Sequence, residues 1–157
     1  MKKSIIAAAV LAATASCASP QETRPVVTTK AQCDPPPTQL VVKDIKDGTG
    51  RAVKARSAVA VGYTGWLYDG CKSDFKGRQF DSNVGNPAPF GFMVGAGRVI
   101  KGWDEGLVGM KEKGKRMLII PPDKAYGNRA AGDKIPPNST LVFEIDLDQI
   151  VLQPPEG

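Results

Sequence analysis

Between Leu141 and Leu152 apolar and charged side chains alternate: Leu141, Phe143, Ile145 and Leu147 fall on one parity, Glu144, Asp146 and Asp148 on the other. A strand turns successive side chains to opposite faces, so a period of two predicts one dry face and one charged face. A sheet with water on one side is characteristically antiparallel, since parallel crossovers bury both faces. The rest of the chain must therefore supply partner strands and something apolar to cover the dry face. Ala58 to Tyr68 reads as one partner, with Val59, Val61, Tyr63 and Leu67 on a common face, and Leu40 to Ile45, Phe90 to Val94 and Arg116 to Ile120 read as others. Only Ile100, Trp103, Leu107 and Met110 recur at helical spacing. Gly102, Gly106 and Gly109 weaken that helix by about 1 kcal/mol each, so packing must hold it. Several strands and one helix predict an α+β fold, a curved antiparallel β-sheet wrapped around one short α-helix.

The patterned region covers residues 39–152 of 157, room for one domain and a tail at 153–157. What precedes it has a different character. Lys2 and Lys3 stand before an apolar run from Ile5 to Ala13, and Ala15, Ser16, Cys17 and Ala18 follow. A charged start, a short apolar centre and a small-residue exit read as a secretory signal over residues 1–16. The run is shorter than the about 20 apolar residues of a membrane span, and a buried N-terminal helix is the competing reading. Residues 17–38 are polar and broken by Pro20, Pro25 and Pro35-Pro36-Pro37, the pattern of a flexible tether. In an oxidising compartment Cys33 and Cys71 are expected to pair, the alternative being two free thiols. Asp69 to Gln79 and Asp123 to Ser139 are polar and turn-rich, hence loops.

Much chemistry is excluded at once. The chain has no histidine, which removes Ser-His-Asp and Cys-His catalysis and most zinc sites. Cys17, Cys33 and Cys71 are too widely spaced to pair as metal ligands. Neither metal nor cofactor is expected. The net charge is +5, of which Lys2 and Lys3 supply two. The basic run Lys111, Lys113, Lys115, Arg116 is interrupted by Glu112 and Gly114 and reads as a solvated face, with no nucleic-acid partner implied. Gly109 to Lys115 has the spacing of a phosphate loop, but Arg116 stands where Ser or Thr must hold magnesium, and the segment runs from helix to strand. Gly95-Ala96-Gly97 carries Ile100 where a dinucleotide fingerprint needs its third glycine. Both are turns.

Aromatic residues near turns remain. Of five Phe, two Trp and three Tyr, Tyr63, Phe80, Phe90, Phe92, Trp103, Tyr126 and Phe143 fall in or beside elements of one core. Composition alone leaves filled core and lined pocket equally open, and for Phe92 core packing is the reading taken. The local strings are more specific. Val61-Gly62-Tyr63-Thr64-Gly65, Phe80-Asp81-Ser82, Pro89-Phe90-Gly91-Phe92, Gly97-Arg98-Val99-Ile100-Lys101-Gly102-Trp103-Asp104-Glu105-Gly106, Ala125-Tyr126-Gly127 and Ile135-Pro136-Pro137-Asn138-Ser139-Thr140-Leu141-Val142-Phe143 occur in that order. Across essentially the whole patterned region this resembles the FKBP family of peptidyl-prolyl isomerases. The resemblance implies catalysis of X-Pro rotation in a concave aromatic pocket between sheet and helix. Trp103 would form its floor, with Tyr63, Phe90, Val99, Ile100 and Phe143 lining it and Phe80, Asp81, Tyr126 and Ile135 around its mouth. It also implies that the Ile100 amide and the Tyr126 hydroxyl donate to ligand carbonyls, and that Asp81 sits beside the carbonyl preceding the proline and braces Tyr63. The implied partners are X-Pro-containing polypeptides and rapamycin-type macrolides.

Two departures from the family pattern stand out. Gly70 to Arg78 is longer than in the smallest members, and Ala131 and Lys134 replace residues that are often histidine and apolar. A non-catalytic chaperone or binding module on the same fold is the alternative function. Ala15-Ser16-Cys17 is similar to the end of a bacterial lipoprotein signal, which would make Cys17 the lipidated first residue, and Ala18, rather than Asp, after the cysteine would by that resemblance favour the outer membrane. Thr14, where such signals carry Leu, leaves ordinary cleavage after Ala13-Thr14-Ala15 as the competitor. The tether lacks a long periodic helix that would build a dimerisation domain, so a monomer is expected.

Overall fold

β6 (Leu141–Leu152) runs through the middle of the sheet and pairs on both edges. The computed structural model describes residues 32–155; the expected signal peptide, the expected lipidation of Cys17 and most of the expected tether lie outside them. β1 (Val41–Lys46), β2 (Ala58–Tyr68), β3 (Lys76–Ser82), β4 (Phe90–Met93) and β5 (Lys115–Ile120) join β6 in a six-stranded sheet, and α1 (Lys101–Gly106) is the single α-helix among the described residues. The order is β1-β5-β6-β2-β3, with every pairing antiparallel. β2 is long enough that its outer edge is shared: Ala58 to Val61 pair with β4, and Thr64 to Tyr68 with β3. The predicted α+β architecture is the one observed.

The alternation in β6 works as its physics requires. Leu141, Phe143, Ile145 and Leu147 are buried in one continuous core with Val59, Val61 and Leu118. α1 covers this face through Trp103, and the turn beyond it adds Leu107 and Met110. The helix is shorter than the spacing of its apolar residues suggests. It ends at Gly106 because the chain then leaves to pair with Val53, whose carbonyl accepts from Gly109 N at 2.8 Å and whose N–H donates to the Met110 carbonyl at 2.8 Å.

Three readings need correction. Val142 lies on the charged parity of β6 yet is buried, with Met117 and Ile119, beneath Trp66, Tyr68 and Phe75. The outer face is therefore dry at this end, where Tyr68 and Phe75 stack at 5.5 Å and Lys76 Nζ sits 4.7 Å from the Trp66 ring centre. Lys76 to Gln79, expected in a loop, begin β3, because Tyr68 pairs with Lys76 and Trp66 with Gln79. Arg116, expected on a solvated face, is only 8% exposed. Its Nε and Nη2 grip Asp44 at 2.5 and 3.1 Å, and Nη1 donates to the Gly106 and Val108 carbonyls at 2.7 and 3.2 Å.

Cys33 and Cys71 are joined by a disulfide. Beside it Asp34 N donates to the Gly70 carbonyl at 2.9 Å, and the Tyr68 hydroxyl reaches the Asp34 and Pro35 carbonyls, each at 3.2 Å. The end of the expected tether is thus fastened to the enlarged 70–78 segment. Closing a loop between cysteines 38 residues apart constrains the unfolded chain by roughly 3–4 kcal/mol.

The glycines of α1 set its distance from the sheet. A Cβ on Gly102 would lie 2.4 Å from Ile120 Cγ2, and one on Gly106 2.7 Å from Leu118 Cδ2. Gly→Ala in an open helix stabilises by about 1 kcal/mol. Here Gly102→Ala is expected to reverse that sign and destabilise by about 1–3 kcal/mol through overpacking, read as a lower urea midpoint at unchanged m-value. A midpoint at or above that of the wild type would show that Ile120 yields and that the contact is loose.

Candidate active site

The half of β2 that changes partners carries Tyr63, and that handover positions the site. At the gap between β3 and β4, Asn83 takes the place of a strand: its Oδ1 accepts from Tyr63 N at 2.6 Å and its Nδ2 donates to the Val61 carbonyl at 3.1 Å. Ser82 Oγ meanwhile donates to the Tyr63 carbonyl at 3.1 Å. The backbone of Tyr63 is therefore fixed on both sides. Its side chain points to the dry face, where its hydroxyl donates to Asp81 Oδ2 at 2.8 Å. Ser82 N donates to the other carboxylate oxygen at 2.9 Å.

Trp103, from α1, sits beneath these groups at 5% exposure. Tyr63 and Phe143 meet it edge to face, with ring centres 5.1 and 5.2 Å away at 77° and 88°. Phe92 and Phe90 stand at 5.5 and 6.2 Å. Edge-to-face contacts set the positive ring edge against the negative ring face, so the cluster is attractive and stiff as well as dry. The indole Nε1 has no nitrogen or oxygen partner among the described residues.

Above Trp103 opens a cavity of ≈ 210 Å³, below the roughly 300–1,000 Å³ of drug-sized ligand sites and suited to one small ring. It is lined by Tyr63, Phe80, Asp81, Phe90, Val99, Ile100, Trp103, Tyr126 and Phe143, with Arg98 in addition. Ile135 lines an adjoining depression of ≈ 390 Å³, which shares Phe80, Asp81 and Tyr126 with the cavity and continues over residues 131–134. Phe80 and Phe143 are in contact at 5.5 Å and form the wall between sheet and cavity. Two residues were missed from the sequence. Arg98 lies in the turn before α1, and Asn83 lies just past β3 and acts only through a gap between strands. No local pattern identifies either.

The two phenols of the site stay protonated over a wide range. Burial, then the hydrogen bond to Asp81, raises the Tyr63 phenol from 10.0 to about 12. Burial and the nearby Asp81 charge push the Tyr126 phenol up as well. Because the folded chain holds these protons beyond the pH at which the unfolded chain releases them, stability is complete below pH 10 and falls as pH rises from about 10 to about 12. Tyr63→Phe should flatten the fall. Urea midpoints for both proteins between pH 9 and 12 test this, and parallel losses would mean that Tyr63 is no more protected than an exposed phenol.

A family model described as FKBP-type peptidyl-prolyl cis-trans isomerase matches residues 49–148. An FK506-binding protein of Neisseria meningitidis serogroup A is 45% identical over 108 residues, covering 69% of this chain and 93% of the relative. FK506-binding protein 1 of Aspergillus oryzae is 46% identical over 111 residues, covering 69% and 95%. Among solved structures, that of AtFKBP13 superposes with a TM-score of 0.62 at 36% identity, over 73% of this chain and 95% of that one. The peptidyl-prolyl cis-trans isomerase of Pseudomonas syringae pv. tomato gives 0.58 at 36% identity, over 71% and 74%. The matched residues carry both halves of the partner exchange along β2 and the whole aromatic cluster around Trp103, and on this evidence the chain belongs to the FKBP-type peptidyl-prolyl cis-trans isomerases.

Proposed function

We propose that this isomerase speeds X-Pro rotation in exported polypeptides and thereby assists their folding, with the proline ring seated on Trp103. The observation that carries the reading is a cavity lined by aromatic rings that also has Asp81, Arg98, Tyr126 and Ile100 in its lining. The Ile100 N–H makes no hydrogen bond to another described residue and is open to a substrate carbonyl. The carbonyl preceding the proline lies beside Asp81 in this reading.

The energetics suit such a site. X-Pro bonds cross a barrier of ~18–20 kcal/mol and exchange in roughly tens to hundreds of seconds. A turnover of ~10 per second requires about a thousandfold, or roughly 4 kcal/mol. No bond breaks and no proton need move. A planar amide is more polar than a twisted one, so a dry cavity disfavours the ground state, and a hydrogen bond to the displaced carbonyl favours the twisted form. Two such terms suffice without a nucleophile.

A protease-coupled assay should show faster exchange with Leu or Phe than with Glu before the proline, because Phe80, Phe90 and Phe143 would desolvate a carboxylate there. Rapamycin-type macrolides should inhibit. Asp81→Leu and Tyr126→Phe should each lower kcat/KM by about tenfold, the worth of one hydrogen bond lost in the transition state, with little change in urea midpoint. The rate should be flat between about pH 6 and 8, where neither phenol titrates and no histidine exists. Full activity in both variants, or a bell-shaped profile in that window, would refute the assignment.

The compartment follows from the N-terminus. In the proposed course the signal is cut before Cys17, which is lipidated, and the tether holds the monomeric domain off the outer membrane in the periplasm. Several acyl chains at ~0.8 kcal/mol per buried methylene make such an anchor effectively permanent. Cys17→Ser should move the protein from the detergent phase to the soluble fraction. A wild-type protein that is wholly soluble, with its mature N-terminus at Ser16, would rule out the anchor and leave the isomerase intact.

A further inference from the structure

Arg98 differs from every other group lining the cavity: it is a cation among rings and carboxyl or hydroxyl groups. It is exposed, and none of the ion pairs of the described residues includes it. The carboxylates that follow it most closely in sequence are engaged elsewhere. Asp104 accepts from Gly95 N at 2.7 Å and Gly97 N at 3.0 Å, and Glu105 pairs with Lys124. Those two bonds from Asp104 fasten the turn that presents Arg98 to the first turn of α1, and Gly95 and Gly97 adopt the left-handed backbone that the turn needs. The backbone of Arg98 is thus held in place while its guanidinium is uncommitted.

Its place along the groove is also defined. Phe80, Asp81 and Tyr126 belong both to the cavity and to the depression over residues 131–135, whereas Arg98, Val99 and Ile100 belong to the cavity alone. Arg98 and Ile100 therefore line the part of the cavity that the depression does not share. If the carbonyl before the proline lies beside Asp81, which both share, the unshared part is left for the chain after the proline, with the Ile100 N–H there to take a carbonyl and Arg98 to meet the next side chain.

We propose that Arg98 is a specificity-determining residue that selects substrates with an acidic side chain immediately after the proline. This rests on the isomerase reading above. An exposed guanidinium pairs with a carboxylate at little desolvation cost, unlike the aromatic wall met by a residue before the proline. An exposed pair of this kind supports a preference of about two- to fivefold at low salt, and it should vanish near 1 M salt, where the screening length is about 3 Å.

The test uses NMR exchange spectroscopy, which needs no protease, on peptides with Leu-Pro-Glu, Leu-Pro-Gln and Leu-Pro-Lys at their centre. Wild-type protein at low salt should give kcat/KM in the order Glu, Gln, Lys. Arg98→Gln should bring the Glu and Gln peptides to parity, and Arg98→Glu should invert the order, while Lys101→Gln should keep the wild-type order. Equal rates for Glu and Gln in the wild type, a preference that survives Arg98→Gln, or one lost in Lys101→Gln would each overturn the proposal while leaving the isomerase in place. Failure to accelerate any of the three peptides would overturn the isomerase reading, and this proposal with it.

Discussion

Gly102 and Gly106, four residues and about one turn apart, bring the backbone of α1 against Ile120 and Leu118 of β5 with no side chain between. A helix with glycine at these positions is poor on its own account, so its stability is borrowed from the sheet it touches. The arrangement is held at its open end by Arg116, which rises from β5, satisfies the Gly106 and Val108 carbonyls, and returns to Asp44 on β1. A buried guanidinium is tolerated only when its donors are used. Here they join three elements, and the helix sits low enough for Trp103 to become a floor with open space above it. A larger residue at either glycine would raise that floor into the cavity.

The second dependence is the handover of β2 between two neighbours. A strand whose edge partner stops leaves backbone groups to be satisfied, and Asn83 satisfies the pair at Tyr63 and Val61. That repair places Asp81 two residues away within reach of the Tyr63 hydroxyl. The carboxylate at the rim is thus a consequence of sheet geometry as much as of its own sequence position. It is held by a phenol and a backbone amide, with no cation among its hydrogen-bond partners in the described residues.

The ten aromatic residues divide between two jobs. Six line the cavity and Phe92 packs behind it on Trp103 and Phe90; Trp66, Tyr68 and Phe75 cover the outer face instead, beside the disulfide and the docked Asp34 and Pro35. The enlarged 70–78 segment belongs to the second group. It leaves Asp81 of β3 paired with β2, opposite Gly65, with Phe80 in the bulge beside it, and fastens the entering chain beside Tyr68 on the outer face.

What the sequence determined by itself was whatever repeats within a few residues or occurs as an ordered set of strings. The alternation in β6 from Phe143 on, the apolar face of β2, the presence of one short helix at Trp103 and the ordered aromatic strings were legible, because strand and helix periodicities are local properties of the chain. Register and partnership are different. Arg116 stands beside three lysines in sequence and reads as solvated, and only the pairing of β1 with β5 brings Asp44, 72 residues away, to its guanidinium. Lys76 to Gln79 look like loop until β2 offers them an edge, and Val142 looks like a lapse in a charged face until Trp66, Tyr68 and Phe75 close over it. Asn83 and Arg98 gain their positions in the same way, from a gap between two strands and from a turn that Asp104 fastens to α1. The tertiary structure decided these because each depends on which distant segment is adjacent, and sheet register sets that adjacency where the local pattern does not.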